Sequence, residues 1–265
     1  MRNILKGQVY YLRKDVVFKG ICLFFLLSGI ILPVWLGSKN GFQMDNPLEP
    51  LRKMMSLSLI LYFIIPIQAC FFITEGFENG SAANLIASGQ RRSSYFLGKY
   101  ISEMKVIGWF IFQFCGLYLI VYIAAALLTG ASVGFSRIQE DAAAVFSILG
   151  YNLLYLAAYA AIIMMAGVLV KKTATAVVIT FVTVFGDFLL GGYLKDSSSA
   201  LLKGISDHTL MTQILKFSGM YLSNSQIVTL SGFDEHLRTI LIPILIIGVC
   251  LTVAVICFEK RDLRV

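Results

Sequence analysis

Six stretches of this sequence stay apolar for long enough to cross a lipid bilayer: 20–38, 56–74, 106–129, 142–170, 173–194 and 239–258. Crossing about 30 Å of hydrocarbon takes roughly 20 mostly apolar residues as a helix, because only a helix satisfies its own backbone N–H and C=O groups where there is no water. The composition agrees, with 58% apolar and 14% charged residues against roughly 45–50% and about 25% in soluble domains. The expected fold is therefore an all-α integral membrane protein with six transmembrane helices. What remains between the spans is too short and scattered for an independent soluble core, so residues 1–265 form a single membrane domain. The first span is long, lacks a small-residue cleavage site and follows an amphipathic segment, which distinguishes it from a secretory signal.

Residues 1–19 carry Leu5, Val9, Leu12 and Val16 at helical spacing with Lys6, Arg13 and Lys14 interspersed. This pattern predicts an interfacial amphipathic helix lying on the membrane surface, the alternative being a flexible polar tail. The basic residues decide orientation. Arg2, Lys6, Arg13, Lys14, Lys19, Arg91, Arg92, Lys99, Lys105, Lys171, Lys172, Lys260, Arg261 and Arg264 fall on one side. The other side receives Lys39, Arg52, Lys53, Arg137, Lys195, Lys203, Lys216 and Arg238, half of them in one long segment. The larger set marks the cytoplasmic side, so both termini are expected there, in a multi-pass protein of the cell (plasma) membrane. The net charge of +7 is divided among loop ends rather than gathered into a nucleic-acid-binding stripe, which points to the lipid bilayer as the partner.

Between spans five and six, residues 195–238 make the only long connection, and Leu210, Ile214, Phe217 and Tyr221 predict a short external helical segment there. Lys171 and Lys172 leave almost no loop between spans four and five, making these an antiparallel pair. Pro33, Pro66 and Pro243 lie inside spans and remove a backbone donor each. The five cysteines, Cys22, Cys70, Cys115, Cys250 and Cys257, all lie in apolar stretches without metal-ligand spacing and read as buried thiols. His208 and His236 belong to no metal cluster, and no phosphate-binding Gly-x-x-x-x-Gly-Lys-Ser/Thr loop occurs, so the chain is not expected to be an enzyme. Asp187 is the candidate intramembrane carboxylate, lining a path, sitting at a dimer interface, or simply lying wet near the external surface; Asn152 and Gln113 raise the same question more weakly.

The segment 75–99 carries the functional signal. It holds Glu75 and Glu78, then Asn79, Gly80 and Ser81, a short apolar step with Asn84, Leu85 and Ile86, a break at Ser88 and Gly89, the pair Arg91 and Arg92, and finally Gly98 and Lys99. This order resembles the cytoplasmic loop of type-2 ABC exporter permeases, the membrane subunits of ATP-driven transporters. The ending Phe258, Glu259, Lys260, Arg261, Asp262, Leu263 is similar to the aromatic-basic-basic-Asp-Leu close of that family's last span. With six spans and a long external segment, the resemblance covers the whole chain.

The resemblance implies a cytoplasmic coupling helix within 75–99 that inserts into a cleft of a separate nucleotide-binding subunit. Glu75, Glu78, Asn79, Gly80, Ser81, Asn84, Leu85, Ser88, Arg91 and Arg92 are the residues expected to make that contact; the bland alternative is a polar inter-span loop. It further implies a second permease copy or a paralogue, no cofactor in this chain, ATP and Mg2+ in the partner ATPase, and export of a hydrophobic or amphipathic substrate. A peptide such as a toxin, bacteriocin or antimicrobial peptide is favoured, with drugs or lipids as alternatives. Two rivals remain: a membrane immunity or scaffold protein, and a non-ABC channel or secondary carrier. The second needs ionisable groups deep in several spans, where the sequence offers Asp187 alone.

Overall fold

The computed structural model describes residues 2–132, 134, 138–194, 199–223, 226–230 and 232–260. Eleven α-helices are present among the described residues, and the one ladder pairs two-residue strands, β1 (Leu222–Ser223) with β2 (Gln226–Ile227). Six helices are long and apolar enough to cross a membrane: α2 (Val16–Asn40), α4 (Leu59–Glu78), α6 (Arg92–Thr129), α7 (Ile138–Val170), α8 (Thr173–Leu194) and α11 (Phe233–Lys260). The protein is thus a multi-pass, all-helical membrane protein. Helices α2, α4 and α11 run unbroken through Pro33, Pro66 and Pro243.

The bundle has a centre and a rim. In α4 and α7, 61% of the most apolar window is buried within the chain, against 17–22% in α2, α8 and α11, so the rim helices spend their apolar surface on lipid. Helix α7 packs against α4, α6, α8 and α11. Lipid is as apolar as leucine, so helices associate in it through close packing and interhelical hydrogen bonds rather than hydrophobic burial. The sequence supplies both. Ala158, Ala160 and Ala161 are fully buried on α7, and a Cβ added at Gly167 would lie 2.5 Å from Ile73 Cγ2 on α4. Tyr62 on α4 donates to Asn152 Oδ1 on α7 at 2.8 Å.

Several boundaries differ from the sequence reading. The third crossing does not begin at 106: α6 is a single helix of 38 residues, about 57 Å long at 1.5 Å per residue. Residues 92–99, expected in the 75–99 loop, and 100–105 after them form its first third, because no proline or glycine cluster stops the helix there. Helix α4 likewise carries on through Glu75 to Glu78, and a 3₁₀ turn over Met55–Ser58 precedes it, so the span starts later than 56. Helices α7 and α11 begin at Ile138 and Phe233, earlier than 142 and 239.

Helix α1 (Arg2–Lys14) forms where the periodicity expects it, but a different stripe is buried: Ile4, Gln8 and Leu12, while Val9 and Val16 are exposed. The reason is its neighbour. A Cβ at Gly98 would come 3.1 Å from Ile4 Cγ2, and Ser102 Oγ donates to Gln8 at 2.6 Å, so α1 runs lengthwise along the start of α6 in the same direction. Asp15 then accepts from Val17 and Phe18 N–H and caps α2, which continues along α6 with Phe18 against Phe110 and Cys22 O accepting from Gln113. The buried stripe of α1 therefore faces α6.

At the other end of the bundle, α3 (Glu49–Met54), α9 (Ala200–His208) and α10 (Leu210–Phe217) close the connections. Residues 41–58 are tied to α7 where Asp141 accepts from Asn46 Nδ2 and from Arg52 at 2.6 Å. Burial works against the Glu49 carboxyl, but the Lys53 ammonium and the Asp45 N–H outweigh it and hold it below its usual range. Helix α10 is buried through Leu210, Met211, Ile214 and Phe217, and Tyr221 lies beyond its end.

Candidate functional site

The stretch joining α4 to α6 is built as a rigid bracket. Gly80 (φ +66) ends the turn after α4, α5 (Ser81–Ala87) follows, and Gly89 (φ +91) reverses the chain into Arg91 and α6. Both glycines occupy the left-handed region, which other residues enter only at a cost. Ala82 is buried and holds α5 down, whereas Ser81, Asn84, Leu85, Ser88 and Arg91 face outward. Ser81 Oγ donates to Gly76 O and Ser88 Oγ to Leu85 O, so each serine fastens one end of the bracket.

Two charged members of the segment are engaged within the chain. Glu78 Oε1 accepts from Thr173 N–H at 2.7 Å, placing a carboxylate at the start of α8, where the helix dipole favours it. Arg92 donates to the carbonyls of Phe258 and Glu259, both at 3.1 Å, satisfying acceptors at the end of α11 that the helix itself leaves open. The ring of Phe258 is fully buried between Phe77 and Tyr95. The bracket therefore grips α8 and α11 as well as the two helices it connects. Of the C-terminal ending, Phe258 is this anchor, Glu259 and Lys260 are exposed, and Arg261, Asp262 and Leu263 lie outside the described residues.

Beneath α5 lies a cluster that the sequence reading missed. Lys99 on α6 is 4% exposed, donates to Phe72 O at 2.5 Å and stands 3.8 Å from the centre of the Phe72 ring. Glu103, one turn further on, is 0% exposed and neither of its carboxylate oxygens has a hydrogen-bond partner among the described residues. Gln68 on α4 neighbours Glu103, is equally buried, and leaves both amide atoms unpartnered. Glu75 reaches the same cluster from α4, with Oε2 buried and unpartnered. Lys99 feels both acids but forms no ion pair within 4.0 Å with either. Tyr11 of α1 closes the cluster beside Glu75 and Asn79; burial and the Glu75 carboxylate push its phenol up, so it stays an O–H donor. Lys99 ends the 75–99 loop of the sequence analysis, Glu103 lies beyond it, and the signal for the pair is their i, i+4 placement on one helix face.

The remaining candidates are separate from this cluster. Asp187 Oδ2 accepts from the Tyr159 hydroxyl and from Met211 N–H at 2.9 Å, so it fastens α10 to α7 and α8 near the opposite end. Asn152 lies between Tyr62 and Ile148 O, and Gln113 spends its amide N–H on Cys22 O while its Oε1 is buried without a partner. All three are joints between helices, and they do not converge on one cavity. Comparison with family models and with curated proteins returns no match for this chain.

Proposed function

We propose that this chain is the membrane-spanning half of an ATP-driven exporter, with α5 as the lever through which a separate nucleotide-binding subunit moves the bundle. The observation that carries the reading is mechanical. Helix α5 presents Asn84 and Leu85 outward, with Ser88 and Arg91 just beyond its end, while its flanks are tied to α8 through Glu78 and to α11 through Arg92. Force applied to α5 acts on four spanning helices together. In this reading the termini, α5 and the 171–172 turn face the cytoplasm, ATP and Mg2+ reside in the partner, and α1 braces α6.

Two copies, or one copy and a paralogue, supply the path. Tyr62, Tyr155 and Tyr159 are fully buried on α4 and α7, and Phe110 and Phe114 where α6 meets α2, so the transport route lies between chains rather than within one. The substrate class that suits a lipid-facing route is a hydrophobic or amphipathic molecule, with a peptide favoured over a drug or a lipid. Co-expression with the product of the neighbouring gene tests this. ATPase activity that co-purifies and is lost on Leu85→Asp or on deletion of 81–88, with the chain still folded, supports the exporter; an unchanged rate removes it.

A second reading has one specific observation in its favour. Lys99 and Glu103 bring a buried ammonium and an unpartnered carboxylate inside the bundle, the kind of pair that an ion-coupled carrier uses. Transport by the purified chain in vesicles that follows an imposed proton gradient without ATP would favour the carrier.

A further inference from the structure

Where α1 hands over to α2, a crevice of about 370 Å³ opens between these helices and α6. Its walls are apolar, formed by Leu12, Phe18, Cys22, Val106 and Trp109, and Arg13 and Lys105 stand at it with no hydrogen bond or ion pair to any described residue. The lengthwise packing of α1 and α2 on α6 fixes the heights. Gln8 meets Ser102, Phe18 meets Phe110 and Cys22 meets Gln113, so Arg13 and Lys105 lie at one level, where the apolar run of α6 begins. Phe18, Cys22 and Trp109 lie deeper.

We infer that this crevice is a binding site for a phospholipid with an anionic headgroup, its phosphate between Arg13 and Lys105 and one acyl chain along Val106, Trp109 and Cys22. Any apolar crevice open to the bilayer takes up a hydrocarbon chain, so the walls alone select nothing. The selection comes from charge. Two unpaired cations at headgroup level attract an anionic lipid by a factor of about 5 each, or about 30 together, over a zwitterionic one. The site requires only that the chain be in a bilayer, and it stands whether or not the exporter reading does.

The protein contains two tryptophans, Trp35 and Trp109, and Trp35→Phe leaves Trp109 as the sole reporter in the crevice. Reconstituted in phosphatidylcholine vesicles, Trp109 is quenched by phosphatidylglycerol brominated in its acyl chains or, separately, by brominated phosphatidylcholine. The site predicts half-maximal quenching at about a 30-fold lower fraction of the anionic lipid, falling about fivefold in Arg13→Gln or Lys105→Gln and vanishing in the pair. Lys14→Gln, on the same helix but outside the crevice, keeps most of the preference, and soluble glycerol phosphate does not displace the lipid. Equal quenching by the two lipids in the Trp35→Phe protein overturns the inference, as does a preference that survives loss of both cations. If the paired variant fails to fold, Cys22→Phe, which fills the crevice, gives the second reading: it must abolish the anionic preference while both cations remain.

Discussion

Replacing Glu103 by methionine should make this protein more stable. Glu103 is fully buried and both its oxygens lack partners. A carboxylate withdrawn from water in this way carries a penalty of several kcal/mol. Lys99 offsets part of it, but an attraction of about 4 kcal/mol requires the charges to be about 4 Å apart at an effective dielectric constant of 20, and this pair is further apart than 4.0 Å. The uncompensated remainder is on the order of 1–3 kcal/mol, the usual cost of an unsatisfied buried polar group. Methionine has similar volume and no such cost, so unfolding in mixed detergent micelles should shift in favour of Glu103→Met by that amount. Lys99→Met should do the reverse and lose about 1–3 kcal/mol, since it takes the nearby ammonium away from buried Glu103 and half-buried Glu75. In the double variant the two effects should not add, because the acid that Lys99 neutralises is gone. A Glu103→Met protein destabilised by more than about 1 kcal/mol, with additive double-variant energies, would refute the reasoning, because it would mean that Glu103 is fully satisfied in the folded bundle.

Three further outcomes follow from the packing. Arg92→Ala should cost about 1.5–3 kcal/mol through loss of its charge-assisted bonds to the end of α11, and hydrogen exchange should accelerate selectively at the last turn of that helix. Gly167→Val places a side chain against Ile73 and should cost about 1–3 kcal/mol by overpacking, largely recovered by Ile73→Ala in the same chain. Tyr62→Phe and Asn152→Leu should each cost about 0.6 kcal/mol, typical of a hydrogen bond between membrane helices, with the pair of changes costing little more than one alone in the same micelle assay.

The six crossings were legible because length and apolarity are properties of a segment by itself. Lys171 and Lys172 announced the tight turn between α7 and α8 for the same reason. What the sequence concealed was depth. Residues 92–99 fall within the loop the sequence implies, yet Lys99 is buried, because Tyr11 of α1 lies over it while Gln8 bonds Ser102 beside it, and Glu103 is buried facing Gln68 of α4. No local pattern contains that contact. The α1 stripe was misplaced on the same account: Val9 has the better hydropathy, but Gly98 offers the flat surface on which Ile4 and Gln8 can land. Within 75–99, a short helix was what the resemblance implied rather than what local periodicity showed, and α5 lies at Ser81–Ala87. That Glu78 and Arg92 would be spent on α8 and α11 could not be read, since each partner lies far along the chain.

The side of the membrane on which α5 lies tests the central proposal most directly. With the five native cysteines replaced, Asn84→Cys on α5 and Asp45→Cys at the opposite end can be probed in intact cells and in inverted vesicles with a membrane-impermeant maleimide. A lever driven by an intracellular ATPase requires Asn84→Cys to react only in inverted vesicles and Asp45→Cys only in intact cells. Labelling of Asn84→Cys from outside intact cells would contradict it.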